Sequence, residues 1–297
     1  MTKERTRRYT FLRAISWLML AMSVLAFAGE VVLQWLGCGT LFDPARPEPA
    51  LAYGIFLLPL NGLVFAVLGT LLVTHRPGNR FGWLASVYGL SVMWMLAAMA
   101  YGECSFEGRA ALAGGDYAVW LGYTLQIPAF LSLALLPWLF PDGRFLTARW
   151  RRVALAGIAA VLVLGGLRAI WPVPVRVDSF GRYWIENPVA VNVPTTPWLD
   201  AVLTFDGNNL ILLLFLAGIV SLVLRWRRSS GEVRQQIKWL AFFFGTSGTG
   251  ALFLAVELLG SAFYPAIFDG WFYFFELLLF WLGMPVVIGL AVFKYRL

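Results

Sequence analysis

Long unbroken apolar runs separated by short polar links dominate this chain. Eight runs, at about 12–36, 51–73, 81–100, 117–140, 153–172, 207–226, 238–261 and 271–293, have the length that matters. Roughly 20 apolar residues in helical form cross the ~30 Å hydrocarbon layer of a bilayer. The runs are continuous rather than alternating, whereas strands of a membrane barrel would be about ten residues long with period two. The pattern therefore predicts an all-α polytopic membrane helix bundle of about eight transmembrane helices, forming one domain over residues 1–297.

The links set the expected orientation. Lys3, Arg5, Arg7, Arg8 and Arg13 precede or open the first run. Arg76 and Arg80 fall in the second link, and Arg144, Arg149, Arg151 and Arg152 in the fourth. Arg225, Arg227, Arg228, Arg234 and Lys238 fall in the sixth, and Lys294 and Arg296 close the chain. Those eighteen of the 23 basic residues share one side. The other side keeps Arg46, Arg109, Arg168, Arg176 and Arg182 with ten of the acids, including Asp43, Glu103, Asp178 and Asp269. The positive-inside rule then puts both ends in the cytoplasm, within a bacterial cytoplasmic membrane. A competing reading takes residues 1–28 as a cleaved signal peptide ending at Ala26-Phe27-Ala28. Apolar character resumes after Glu30, which favours a first spanning helix.

Composition agrees. Hydrophobic residues make up 60% of the chain and charged residues 13%, too few to clothe a soluble protein of this size. The net charge of +7 belongs to the loop asymmetry and does not indicate nucleic acid. The longest outer link, 173–206, carries Pro174, Pro188, Pro194 and Pro197 with Trp184 and Trp198. It reads as an irregular segment on the membrane face, with a short interfacial helix at 197–206.

Charged residues inside the apolar runs are the candidates for chemistry, because each costs at least ~2.5 kcal/mol in hydrocarbon. They are Glu30, Glu257, Glu276 and, near the end of the fifth helix, Arg168. The expected chain directions put all four in the outer half. Ser16, Ser23, Glu30 and Gly37 recur every seven residues on one helix face, and Thr246, Gly250, Phe253 and Glu257 form a comparable face on the seventh helix. An outer polar cavity for a small ligand, a proton or a cation is one reading. The plainer one has the glutamates snorkelling to the interface or pairing with Arg168. Asn61, Gln126, Asn208 and Asn209 read singly as interhelical hydrogen bonds. Cys38 and Cys104 both fall in outer links, where a disulfide can persist; the alternative is two free thiols.

On the basic side, Pro77-Gly78-Asn79 and Pro141-Asp142-Gly143-Arg144 read as turns, with Asn79 capping the next helix. His75 reads as a solvated loop residue. The sequence holds no phosphate-binding G-x-x-x-x-G-K loop, no H-E-x-x-H and no G-x-S-x-G. Two cysteines and one histidine offer no metal set. No catalytic residue, metal or cofactor is expected, and the chain alone does not read as an enzyme.

Several basic-side stretches together resemble a known family. They are Arg76-Pro77-Gly78-Asn79-Arg80-Phe81-Gly82-Trp83-Leu84, Leu139-Phe140-Pro141-Asp142-Gly143-Arg144-Phe145 with Trp150-Arg151-Arg152, and Gly231-Glu232-Val233-Arg234-Gln235-Gln236-Ile237-Lys238-Trp239-Leu240. Pro285-Val286-Val287-Ile288-Gly289-Leu290 and Phe293-Lys294-Tyr295-Arg296-Leu297 follow. Their order and spacing is similar to the N-terminal membrane region of a group of bacterial sensor histidine kinases. The resemblance implies signalling through the last helix to a cytoplasmic kinase or response regulator. The kinase parts, a phosphoacceptor histidine and an ATP-binding lobe, are not among these residues, which implies either the membrane part of a longer protein or a free-standing relative. The expectation is thus a non-catalytic signal-sensing membrane module. Its expected partners are the lipid bilayer, an outer ligand, proton or cation, a cytoplasmic output protein, and a second copy as homodimer. A small transporter or channel, or a structural membrane partner without ligand, is the alternative. The clustering of polar residues toward one side and the lack of an inverted repeat weigh against transport.

Overall fold

The computed structural model describes residues 3–36, 49–106, 112–141, 143–176, 184–194, 198–199, 203, 207–239, 283, 286–287 and 289. Six long helices make up most of this: α1 (Lys3–Trp35), α2 (Pro49–His75), α3 (Arg80–Phe106), α4 (Gly115–Leu139), α5 (Ala148–Ile170) and α6 (Gly207–Arg228). A further helical stretch covers 231–239, and the described residues between 283 and 289 are helical. Among the described residues five helices are long and apolar enough to cross a membrane, and in α2 the stretch Pro59–His75 is a shorter apolar helix. The fold is a bundle of apolar helices of the multi-pass membrane type.

Burial follows the membrane pattern of apolar outside and small or polar inside. Large hydrophobics face outward on the flanking helices, as at Leu18 (62% exposed) on α1 and Leu213 (62% exposed) on α6. Ser16, Ser23, Glu30, Asn61, Thr70, Ser86, Ser91 and Ser132 are buried instead. In water such a distribution would leave the apolar faces of α1, α5 and α6 unprotected.

The α3–α4 pair is the axis of the bundle. α1 and α2 pack on α3 and on each other, while α5 and α6 pack on α4 and on each other. Glycines allow the α2–α3 approach. A Cβ on Gly89 would lie 2.5 Å from the Gly62 carbonyl oxygen and 2.6 Å from the Ala66 nitrogen, and one on Gly69 would lie 2.4 Å from the Ser86 nitrogen. Backbone meets backbone there, so no larger side chain fits. Across the same interface the Tyr88 hydroxyl donates to Asn61 Oδ1 at 2.7 Å, the interhelical bond expected of Asn61.

Three local expectations change. Helix α3 runs past residue 100 to Phe106, so Cys104 is not in a link but in the last helical turn, fully buried. The extension is held by the Tyr101 hydroxyl donating to the Ala113 carbonyl (2.9 Å) and the Ser105 hydroxyl donating to the Leu112 carbonyl (2.8 Å). Arg225 is not a link residue either; it lies in α6 and is buried. The link after α5 is not wholly irregular: β1 (Val175–Arg176) pairs antiparallel with β2 (Trp184–Ile185). Val175 is buried against Val119, with Tyr123 and Ile185 alongside, so apolar contact with α4 folds this hairpin down. Within 197–206, residues 198, 199 and 203 are helical and the remainder lies outside the described residues.

Candidate functional site

The α1 stripe lies on a buried face. Ser16 and Ser23 are fully buried, each hydroxyl returning to its own helix at the Arg13 and Met19 carbonyls. Thr70 of α2 donates to the Ser16 carbonyl at 3.0 Å. One turn and more beyond, Glu30 is 3% exposed and Gln34 is 6% exposed. Glu30 Oε2 and Gln34 Oε1 are both fully enclosed with no hydrogen-bond partner among the described residues. Residues four apart on a helix are neighbours on one face. Two acceptor atoms therefore sit on one buried face without a donor among the described residues. Gly37, the next member of the stripe, lies outside the described residues.

Arg168 stands elsewhere in the bundle. It leaves the last turn of α5, donates through Nη1 to the Leu203 carbonyl at 2.8 Å, and lies 4.7 Å from the centre of the Tyr123 ring on α4. These contacts tie the C-terminal end of α5 to α4 and to Leu203, ahead of α6. α1 leans on α2 and α3 and α5 on α4 and α6, so Glu30 and Arg168 belong to different helix triplets. Glu257 and Glu276 lie outside the described residues.

Asn187, which the sequence does not single out, secures the same C-terminal end of α5. Its amide nitrogen donates to the Ala169 carbonyl (3.0 Å) and the Trp171 carbonyl (2.8 Å), while Oδ1 accepts from the Val189 N–H at 3.0 Å. Trp120 Nε1 donates to the same Ala169 carbonyl at 2.7 Å. The terminal carbonyls of a helix have no partner within it, and α5 finds its partners in these side chains. Cys104 is disulfide-bonded; Cys38 lies outside the described residues.

At the opposite end of the bundle, Arg225 is 7% exposed. Its Nη1 donates to the Phe140 carbonyl at 2.6 Å, and its Nη2 to the Trp138 carbonyl at 3.3 Å and to the Arg144 carbonyl. Three of the last four carbonyls of α4 have identified partners. Phe140 N–H returns to the Leu136 carbonyl, Gly143 N–H returns to the Leu139 carbonyl with φ at +72°, and Arg225 takes Trp138. The Phe140–Pro141 peptide bond is cis. Trp138, fully buried, packs edge-on against Trp150 and Phe145. Positive charge near a helix C-terminus is a familiar signal, but burial of this one among carbonyls follows only from how α6 crosses α4.

The two expected turns form as read. Asn79 Oδ1 accepts from the Phe81 N–H (2.9 Å) and the Gly82 N–H (3.4 Å) at the start of α3. His75 is exposed, with Nδ1 2.8 Å from the Leu71 carbonyl oxygen. Among the described residues, no group of three or more histidines, cysteines or carboxylates is placed to hold a metal ion.

Comparison with protein-family models, with curated proteins and with solved structures finds no match in any of the three.

Proposed function

We propose that this chain is a non-catalytic signal-sensing membrane module. It has about eight spans with both ends in the cytoplasm of a bacterial cell, and responds to a proton, a cation or a small ligand in its outer half. The reading is supported above all by Glu30, a carboxylate enclosed in an apolar helix with one oxygen lacking any described partner. A group of this kind costs several kcal/mol to keep buried, and a bundle held together only by packing has no use for it. Gln34 one turn away extends the polar spot. Glu257 and Glu276 are its further candidate members, whereas Arg168, held at Leu203 and Tyr123, belongs to another part of the bundle. Occupancy or titration at Glu30 would change how α1 seats on α2 and α3. The last helix, with Gly283, Pro285 and Gly289, would carry the shift to a cytoplasmic kinase or response regulator.

The test uses the full chain in proteoliposomes, with tryptophan fluorescence and infrared difference spectra followed through external pH steps and additions of Na+, K+ or Ca2+. Glu30→Gln preserves shape and removes the titrating group. The expected result is a folded protein that has lost a carboxyl component of the difference spectrum together with its fluorescence response. Unchanged responses in both Glu30→Gln and Glu30→Leu would reduce Glu30 to a structural feature and end this reading.

A further inference from the structure

Two of the stretches carrying the family resemblance, far apart in sequence, face each other across one cleft. Arg76, Gly78, Asn79 and Arg80 of the α2–α3 turn form one wall, and residues of the α4–α5 turn and the first turn of α5, from Pro141 and Gly143 to Ala148 and Arg151, form the other. The cleft has a volume of about 640 Å³. Pro141 and Gly143 are its buried floor. At Gly143 the walls come close: a Cβ there would lie 3.8 Å from the Arg80 Cβ and 4.0 Å from Asn79 Oδ1.

Four arginines line this cleft, Arg76 and Arg80 from the first wall and Arg144 and Arg151 from the second. None of the described lining residues is an acid. Asp142, between Pro141 and Gly143, lies outside the described residues; counted in full, it leaves a surplus of three positive charges over these five residues. Arg80 and Arg151 are exposed, and their side chains make no hydrogen bond or ion pair among the described residues.

Backbone adds to side-chain charge. Asn79 caps α3 and Thr147 caps α5, the latter accepting from the Trp150 N–H at 3.4 Å. Both caps line the cleft. The N-termini of two long helices therefore border the same space, each turning the positive end of its dipole toward it. Like charges gathered from two separate turns repel one another unless an anion lies between them.

We propose that this cleft is a phosphate-binding site, filled by the phosphate group of an anionic phospholipid or by a soluble phosphate compound. Guanidinium groups match the paired oxygens of phosphate in a planar fork, and Arg80 and Arg151, with the charge of Arg76 and Arg144 and two helix ends beside them, suit a group with several acceptor oxygens. The mouth opens at the ends of membrane-length helices, the level at which lipid headgroups lie and basic pockets between helices collect them. This site lies apart from Glu30 and does not depend on its role.

The experiment uses the delipidated full chain in neutral detergent with two probes. Phosphatidylglycerol retention is read by native mass spectrometry against diacylglycerol, which shares the acyl chains and lacks the phosphate. Inorganic phosphate binding is read by phosphorus NMR line broadening. The cleft variant is Arg80→Gln with Arg151→Gln. The control is Arg149→Gln with Arg152→Gln, which removes the same charge from the start of α5 outside the cleft lining. The expected result is retention of at least one probe by the wild type, weakened about tenfold in the cleft variant and unchanged in the control. Dependence of phosphatidylglycerol retention alone on the cleft identifies a lipid occupant, and dependence of inorganic phosphate identifies a soluble one. Binding of neither probe, equal retention of diacylglycerol without any phosphate binding, or equal loss in both double variants would overturn the proposal. Should the glutamine pair fail to fold, Arg80→Lys with Arg151→Lys keeps the charge, removes the fork and must weaken binding in the same assays.

Discussion

Arg225 shows how far a single side chain can depart from its place in a charge pattern. Along the chain it is one of a run of basic residues after an apolar segment. In the fold it is enclosed and shared among the carbonyls of Trp138, Phe140 and Arg144. Removing a charged donor that satisfies buried carbonyls leaves them without a partner. Arg225→Leu should therefore cost about 3 kcal/mol of stability, seen as an earlier midpoint in SDS unfolding of the purified protein. Arg225→Lys should recover only part of it, because one ammonium cannot span the positions a planar guanidinium reaches. Equal stability of wild type and Arg225→Leu would show that these carbonyls find other partners. Glu30 is the opposite case. Its interior location was legible from the seven-residue recurrence with Ser16 and Ser23, since a period near two helical turns keeps one face. What no periodicity supplies is the state of each oxygen, which depends on residues from other helices.

The helices obey the same division. Run length gives their existence, and the capping residues Asn79 and Thr147 mark two of their starts. The ends are less legible, since α3 continues through Cys104 to Phe106 because hydrogen bonds from Tyr101 and Ser105 fasten it to the next turn. Packing is least legible. Gly62, Gly69, Gly82 and Gly89 look like unremarkable members of apolar runs, yet they set the closeness of α2 and α3. Gly89→Ala should reduce the yield of monodisperse protein and its thermal midpoint, because the added methyl meets backbone at 2.5–2.8 Å. Gly166 on α5 is the counter-case, with open space where a Cβ would be. Gly166→Ala should leave the fold intact and stabilise it by up to about 1 kcal/mol through helix propensity. If both substitutions behave alike in the same thermal assay, the close α2–α3 contact is wrong.

For the whole molecule the distribution of basic residues among the links is the organising feature. Alkaline-phosphatase fusions after residues 42, 108, 190 and 268 should be active, and fusions near residues 77, 146 and 230 silent. An active fusion at residue 230 would overturn the arrangement of eight spans with both ends inside. The same asymmetry gathers Arg76, Arg80, Arg144 and Arg151 at one end of the bundle, where two turns 60 and more residues apart in sequence become the walls of one cleft.

The sequence by itself determined that this is an apolar helical bundle of the membrane type, roughly where six of its helices lie, and which face of α1 turns inward. Each of those properties is set by residues close together in the chain: run length, helical period and caps. Only the tertiary structure decided that Arg225 is an interior partner of three carbonyls, that the link after α5 folds a pair of short strands onto α4, and that the α2–α3 and α4–α5 turns share a space. Such relations join residues distant in sequence. They depend on which helices cross and how closely, and a pattern of apolar and polar positions leaves that undetermined, because in a membrane most helix faces are apolar whether they meet lipid or protein.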